Sequence, residues 1–265
     1  MMGKMLIGRF VPMDSTLHRM DPRSKLIIIF SFICVVFLAN NNWTYITLIG
    51  YVFFMVFLSK VPIKFIYNGL RPILWLIIFT LFIHLFFTKE GNVVFHYGWI
   101  KIYEEGIRMG ILISIRFFLL IIMTSLLTLT TTPIELTDAI ETLLGPLKKF
   151  KLPVHELALM MSISLRFIPT LMDETEKIMK AQIARGVEFS SGSIKNRIKA
   201  IIPLLIPLFV NSFKRAEELA IAMEARGYQG GEGRTKYRQL IWKTVDTVML
   251  ILLLFITCLL LLLRS

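Results

Sequence analysis

Residues 241–263 form a nearly continuous apolar run whose only charges are Lys243 and Asp246. A helix needs about 20 such residues to cross a bilayer, so this stretch fixes the class of fold before anything else is read. Four more runs of the same character lie upstream, at residues 26–39, 43–58, 73–87 and 107–132, and none contains Asp or Glu. With 55% hydrophobic residues and a mean hydropathy of +0.69, the chain reads as an all-α integral membrane protein. About five transmembrane helices are expected. The first three cores are shorter than a full span; flanking polar and aromatic residues extend them, or they tilt little and thin the bilayer locally.

The formal charge of +12 invites a nucleic-acid partner. The basic residues, however, flank the apolar runs instead of forming one stripe, and membrane orientation accounts for them. Arg19, Arg23 and Lys25 precede the first run, and Lys60, Lys64 and Arg71 join the second to the third. The uncharged Asn40-Asn41-Asn42 turns the chain between runs one and two. The positive-inside rule then puts the N-terminus in the cytoplasm and the loop 89–105 outside. Pro12, Asp14, His18 and Asp21 interrupt any cleavable leader pattern. Cys34 and Cys258 lie inside apolar runs and point to neither a disulfide framework nor a metal site.

Between residues 133 and 240 the composition changes: twelve of the eighteen acidic residues and sixteen basic ones fall there. Three parts are therefore expected: a membrane region 1–132, an interfacial or cytoplasmic insertion 133–240, and a last span 241–265. Inside the insertion a short helix over 134–144 should stop at Gly145-Pro146. Two longer amphipathic helices follow. One carries the stripe Met161, Leu165, Ile168, Met172, Met179, Ile183 and the other Ile206, Phe209, Val210, Phe213, Ala216, Ala220, Met223. Both have the helical period, with charged residues between. Neither is apolar enough along its whole length to span, so both are expected to begin in the membrane interface and end in water. Pro169, Pro203 and Pro207 would bend them.

These helices end alike. Ala184-Arg185-Gly186 and Ala225-Arg226-Gly227 share an offset of 41 residues (226 − 185), and Glu176/Glu217 and Ala181/Ala222 repeat at the same offset. A glycine after the last helical residue takes the left-handed conformation and stops the helix sharply. The alanine keeps the tip narrow, and the arginine presents a planar fork that matches a carboxylate bidentately. One copy would read as an ordinary C-cap favoured by the helix dipole. Two matched copies point to two similar receptors, such as a pair of nucleotide-binding subunits. The chain has no Gly-x-x-x-x-Gly-Lys-[Ser/Thr] of its own.

The paired motifs, together with Gly8-Arg9-Phe10-Val11-Pro12-x-Asp14-Ser15-x-Leu17-His18-Arg19-x-Asp21-Pro22-Arg23-x-Lys25 and the Leu152-Pro153 stretch ahead of a helix, resemble the transmembrane T component (EcfT, CbiQ-like) of energy-coupling factor (ECF) transporters, a class of ABC importer. The resemblance covers essentially the whole chain. It implies a non-catalytic scaffold in a bacterial cell membrane that joins two ABC ATPase subunits to one or several substrate-binding S components for uptake of vitamins or other micronutrients. Ala184, Arg185, Gly186, Ala225, Arg226 and Gly227 would be the ATPase-docking residues. No cofactor and no metal are implied. The alternatives are a dedicated T component of a single cobalt, nickel or biotin importer and a stand-alone secondary carrier; the missing midplane carboxylate speaks against the latter.

Arg116, within the fourth run, and Arg166, in the first amphipathic helix, are the candidate intramembrane or coupling polar residues, since a charge at such depth is costly and often functional. Arg116 would pair with a carboxylate or line the face toward an S component. His84 reads as a hydrogen-bonded interior histidine, and His155-Glu156 lacks the second histidine of a zinc-protease helix. His18, Arg19, Asp21 and Arg23 form a compact charged cluster, either a cytoplasmic lock between the N-terminus and the coupling region or a solvated interfacial turn.

Overall fold

The computed structural model describes residues 10–97, 100–189, 193–230 and 239–264. Gly8 and Arg9 of the N-terminal stretch and Gly231–Gly233 of the glycine-rich return lie outside them. Eight helices are described: α1 (Pro22–Val36), α2 (Asn42–Ser59), α3 (Ile63–Phe87), α4 (Glu104–Thr130), α5 (Pro133–Leu143), α6 (Val154–Ala184), α7 (Ile194–Ala225) and α8 (Thr244–Leu263). A single 3-10 turn, Gly145–Phe150, follows α5 at the expected Gly-Pro stop. The described residues form two compact units, one from residues up to 139 together with those from 240 onward, the other from the residues between 140 and 239.

In the first unit α1, α2, α4 and α8 share a core that includes Phe32, Val36, Leu48, Val52, Leu119, Leu126 and Leu260. Lys25 near the start of α1 meets Thr130 at the end of α4, and Ala39 after α1 meets Arg116. The two spacings are equal at 14 residues (39 − 25 and 130 − 116), so α1 runs antiparallel to α4. The α1–α2 hairpin therefore stops 12 residues (116 − 104) short of the start of α4, about 18 Å at 1.5 Å per residue. Along α3, α4 brings Gly106 and Gly110 up to the backbone of His84 and Leu81; a Cβ on Gly106 would stand 2.9 Å from the His84 carbonyl oxygen. That approach leaves room for His84, whose Nδ1 lies 3.4 Å from Thr88 Oγ1.

Six described helices, α2, α3, α4, α6, α7 and α8, are long and apolar enough to cross a membrane. The five-span expectation differs from this at both ends. At 15 residues, α1 is a short helix, whereas α6 and α7 reach the necessary length and composition with mean hydropathy 1.2, against 1.4 to 2.8 for the others. Helix α3 begins ten residues before its apolar run (73 − 63), so Lys64 and Arg71 lie in helix and not in a connecting loop. Pro72 is carried inside it. The loop 89–105 also folds: β1 (Val93–Tyr97) pairs antiparallel with β2 (Ile100–Tyr103), Phe95 opposite Ile102 and Tyr97 opposite Ile100. The all-α class stands, with one small hairpin added.

Candidate functional site

In the second unit both Ala-Arg-Gly motifs end helices in the same way. Gly186 has φ +85° and Gly227 φ +72°, the left-handed conformation that glycine alone adopts without a Cβ clash. Val187 N–H donates to the Gln182 carbonyl at 3.0 Å and Gly186 N–H to Ile183 at 2.9 Å; Tyr228 N–H donates to Met223 at 3.0 Å and Gly227 N–H to Glu224 at 2.8 Å. This is the Schellman pattern, drawn twice with the same spacing. Arg185 and Arg226 are the cap residues themselves, and both arginines, with their alanines and glycines, are exposed.

The two helices meet through a pair that obeys the same repeat. Arg215 Nη2 donates to Glu174 Oε1 at 2.6 Å, and 215 − 174 is again 41. The Arg215 guanidinium also lies 5.8 Å from the Phe167 ring centroid. Farther along, Gln182 Nε2 donates to the Pro203 carbonyl at 3.4 Å; the α6 number rises as the α7 number falls, so the helices run antiparallel. Two antiparallel helices joined at equivalent positions are related by an approximate twofold axis through the join. Each arginine stands 11 residues beyond it (185 − 174 and 226 − 215), about 16 Å along an uninterrupted helix. The tips thus point in opposite directions, up to about 33 Å apart along the axes. Sequence reading found the repeat but missed the Glu174–Arg215 pair; the shared offset was the signal.

Around that join Ile163, Phe167 and Leu171 of α6 and Leu219 and Met223 of α7 line an apolar cavity of about 310 Å3. Much of the α7 stripe faces outward: Ile206, Phe209, Val210 and Phe213 are exposed. Arg166 is exposed on α6.

Arg116 has a different setting. Its Nη2 donates to the Ala39 carbonyl at 3.2 Å and to Tyr45 Oη at 2.9 Å, and the guanidinium lies 5.3 Å from the Phe37 ring. Its described partners are a carbonyl and a hydroxyl, where a carboxylate had been one expectation. The charge sits where the α1–α2 hairpin turns and leaves polar backbone beside α4.

The described hydrogen bonds of the N-terminal cluster lie within the first unit, where a lock onto the coupling region had been one expectation. Asp246, fully buried, accepts from Asp21 N–H at 2.9 Å, Ser24 Oγ at 2.5 Å and Lys243 N–H at 2.7 Å. Arg23 forks onto Asp21, with Nη2 at 2.7 Å, and reaches the Leu240 carbonyl at 3.2 Å. Burial opposes ionisation of Asp21, but the hydrogen bonds and charge of Arg23 outweigh it and hold the carboxyl below its usual range. Lys25 Nζ donates to the Thr130 carbonyl and Thr131 Oγ1 at 2.9 and 3.2 Å. His18 Nε2 lies 2.9 Å from the Val11 carbonyl, so it must donate; Nδ1 then accepts from Ser15 Oγ at 2.7 Å. Burial keeps that ring neutral and its pKa below 6.5. The starts of α1 and α8 and the end of α4 are thereby tied at one end of the unit.

His155 Nδ1 lies 3.1 Å from Glu141 Oε1. Among the described residues no three His, Cys, Asp or Glu side chains gather in a way that would hold a metal ion.

Comparison with known proteins fits this architecture. The family model described as cobalt transport protein, CbiQ, matches residues 13–237. The chain is 61% identical over 265 residues to the energy-coupling factor transporter transmembrane protein EcfT of Bacillus subtilis, covering all of both chains. It is 58% identical, again over the full length of both, to the proteins of that name from Macrococcus caseolyticus and Listeria innocua. The chain belongs to the CbiQ family, among the energy-coupling factor transporter transmembrane proteins.

Proposed function

We propose that this chain is the coupling scaffold of an ECF-type ABC importer, linking two ABC ATPase subunits to one or several S components for ATP-driven uptake of micronutrients. The observation that carries this reading is the pair of exposed, identically capped Ala-Arg-Gly tips, related by an approximate twofold through Glu174 and Arg215. Two equivalent anchors suit two equivalent receptors. Arg185 and Arg226 each grip an acidic group in a groove of one ATPase. Ala184 and Ala225 keep the tips slender, and Gly186 and Gly227 end them. Residues 133–240 form the coupling region between the membrane parts 1–132 and 241–265. The N-terminus lies in the cytoplasm, on the side of Arg19, Lys60 and Lys243, and the complex resides in a bacterial cell membrane. The chain supplies no catalysis of its own, and Arg166 is a coupling residue on the exposed surface of α6. The name of the matched family, cobalt transport protein, favours as second reading a T component dedicated to one metal importer; the EcfT relatives at 58–61% identity over full length support the first.

The test is co-purification with the two ABC ATPases of the same organism, wild type against Arg185→Glu with Arg226→Glu. Removing one partner of a desolvated charge pair costs about 2–5 kcal/mol, enough to lose both ATPases while the membrane protein stays monodisperse. Retention of both ATPases would reduce the motifs to helix caps.

A further inference from the structure

Away from the paired tips, the N-terminal turn, the end of α2 and the start of α8 enclose an open cavity of about 440 Å3. Asp14, Ser15, Thr16, Arg19, Lys60 and Lys243 line it. Three of these are cations. The one anion, Asp14, is already engaged by Arg19 at 3.3 Å, so the cavity keeps a net positive charge. Lys60 is the residue after α2 and Lys243 the residue before α8, both helices long and apolar enough to cross a membrane. The cavity therefore sits at the depth where hydrocarbon gives way to headgroups. Lys60 occupies a left-handed cap, φ +52°, where glycine or asparagine is usual; the chain places a cation there instead. Next to it, Phe53 and Phe57 on α2 and Val248 and Ile251 on α8 are exposed, and α2 and α8 pack together.

We propose that this cavity holds the phosphate headgroup of an anionic phospholipid, with Arg19, Lys60 and Lys243 as its cationic ligands and the acyl chains along the apolar surfaces of α2 and α8. The Thr16 hydroxyl beside the cations suits phosphate oxygens. A choline headgroup would bring a fourth cation into the cavity, and a free phosphate would leave the apolar surfaces unused.

Titration of the full chain in neutral detergent with dioctanoyl phosphatidylglycerol, read by native mass spectrometry, tests the site. One cation near a lipid phosphate changes affinity about fivefold. Lys60→Asn, which keeps the left-handed backbone, should therefore weaken binding about fivefold, and the same change with Lys243→Gln about twenty-five-fold. Dioctanoyl phosphatidylcholine should bind all three proteins alike. Equal phosphatidylglycerol affinity in wild type and Lys60→Asn overturns the proposal. So does displacement of the lipid by an equimolar concentration of inorganic phosphate, which would make this a site for free anions. Lys60 is exposed, so the single variant should melt with wild type and decides the question even if the double variant fails to fold.

Discussion

Replacing Asp246 with alanine would remove the acceptor on which the N-terminal cluster converges. The carboxylate is fully buried and takes hydrogen bonds from Asp21 N–H, Ser24 Oγ and Lys243 N–H. The three donors would not suffer equally. Lys243 is exposed and regains water, so its loss is slight. Ser24 Oγ lies 2.7 Å from the Asp21 carbonyl and can turn to it. Asp21 N–H is buried, with no such alternative. A hydrogen bond to a charged group is worth about 1.5–3 kcal/mol, and an orphaned buried donor about 1–3 kcal/mol. The sum after these allowances is about 2–4 kcal/mol, a large share of a typical native stability of about 5–15 kcal/mol. At about 2–4 °C per kcal/mol for a protein of this size, thermal unfolding followed by tryptophan fluorescence in detergent should fall by roughly 4–16 °C. Asp14→Ala is the control. It breaks the Asp14–Arg19 pair, whose side chains are 87% and 69% exposed, and such surface pairs contribute about 0–1 kcal/mol. Asp246→Ala melting within about 2 °C of Asp14→Ala would refute the reasoning.

Two further outcomes follow from the same geometry. Gly186→Ala and Gly227→Ala meet no atom within 4 Å of the added Cβ, so their cost is backbone strain alone, about 1 kcal/mol each. Hydrogen exchange should quicken in the last turns of α6 and α7 while global melting stays put; unchanged protection at both tips would sink this. His18 is held below its ordinary pKa by burial, so the unfolded chain binds the extra proton first. Its contribution is complete above pH 6.5 and is lost as pH falls from there through the folded value. Melting temperature should decline over that window in wild type and decline less in His18→Gln; parallel profiles from pH 8 to 5 would show that another group is responsible. Asp21, depressed by Arg23, acts only near or below its ordinary value of 3.8.

The apolar runs announced α2, α4 and α8 because burial in lipid demands uninterrupted hydrophobicity, which sequence displays directly. Helix α3 extends beyond its apolar run because charge places Lys64 and Arg71 near water without ending a helix. The strands β1 and β2 depend on pairing across a turn, which no hydropathy average reveals, although Val93, Val94, Ile100 and Ile102 are strand formers. Both Schellman caps were legible from Gly186 and Gly227, since positive φ at a helix end is nearly a glycine property. Asp246 as hub of the N-terminal cluster was not legible. Its partners Asp21 and Ser24 lie more than two hundred residues away, and only the fold brings them together.

The two units place their charged residues differently. In the first, Asp21, Lys25 and Asp246 are buried with their hydrogen-bonding groups matched to named partners. Burying charges among apolar helices costs desolvation and adds little net stability. Such a cluster instead penalises every arrangement in which α1, α4 and α8 are out of register, because each would orphan a buried charge. In the second unit large apolar residues, Ile206, Phe209 and Phe213 among them, are exposed, while the charge pair Glu174–Arg215 joins the helices. Exposed apolar surface of that extent on a monomer marks contact with lipid or another protein. One unit therefore joins its helices through a buried polar cluster, and the other through a charge pair flanked by exposed apolar faces and two exposed tips.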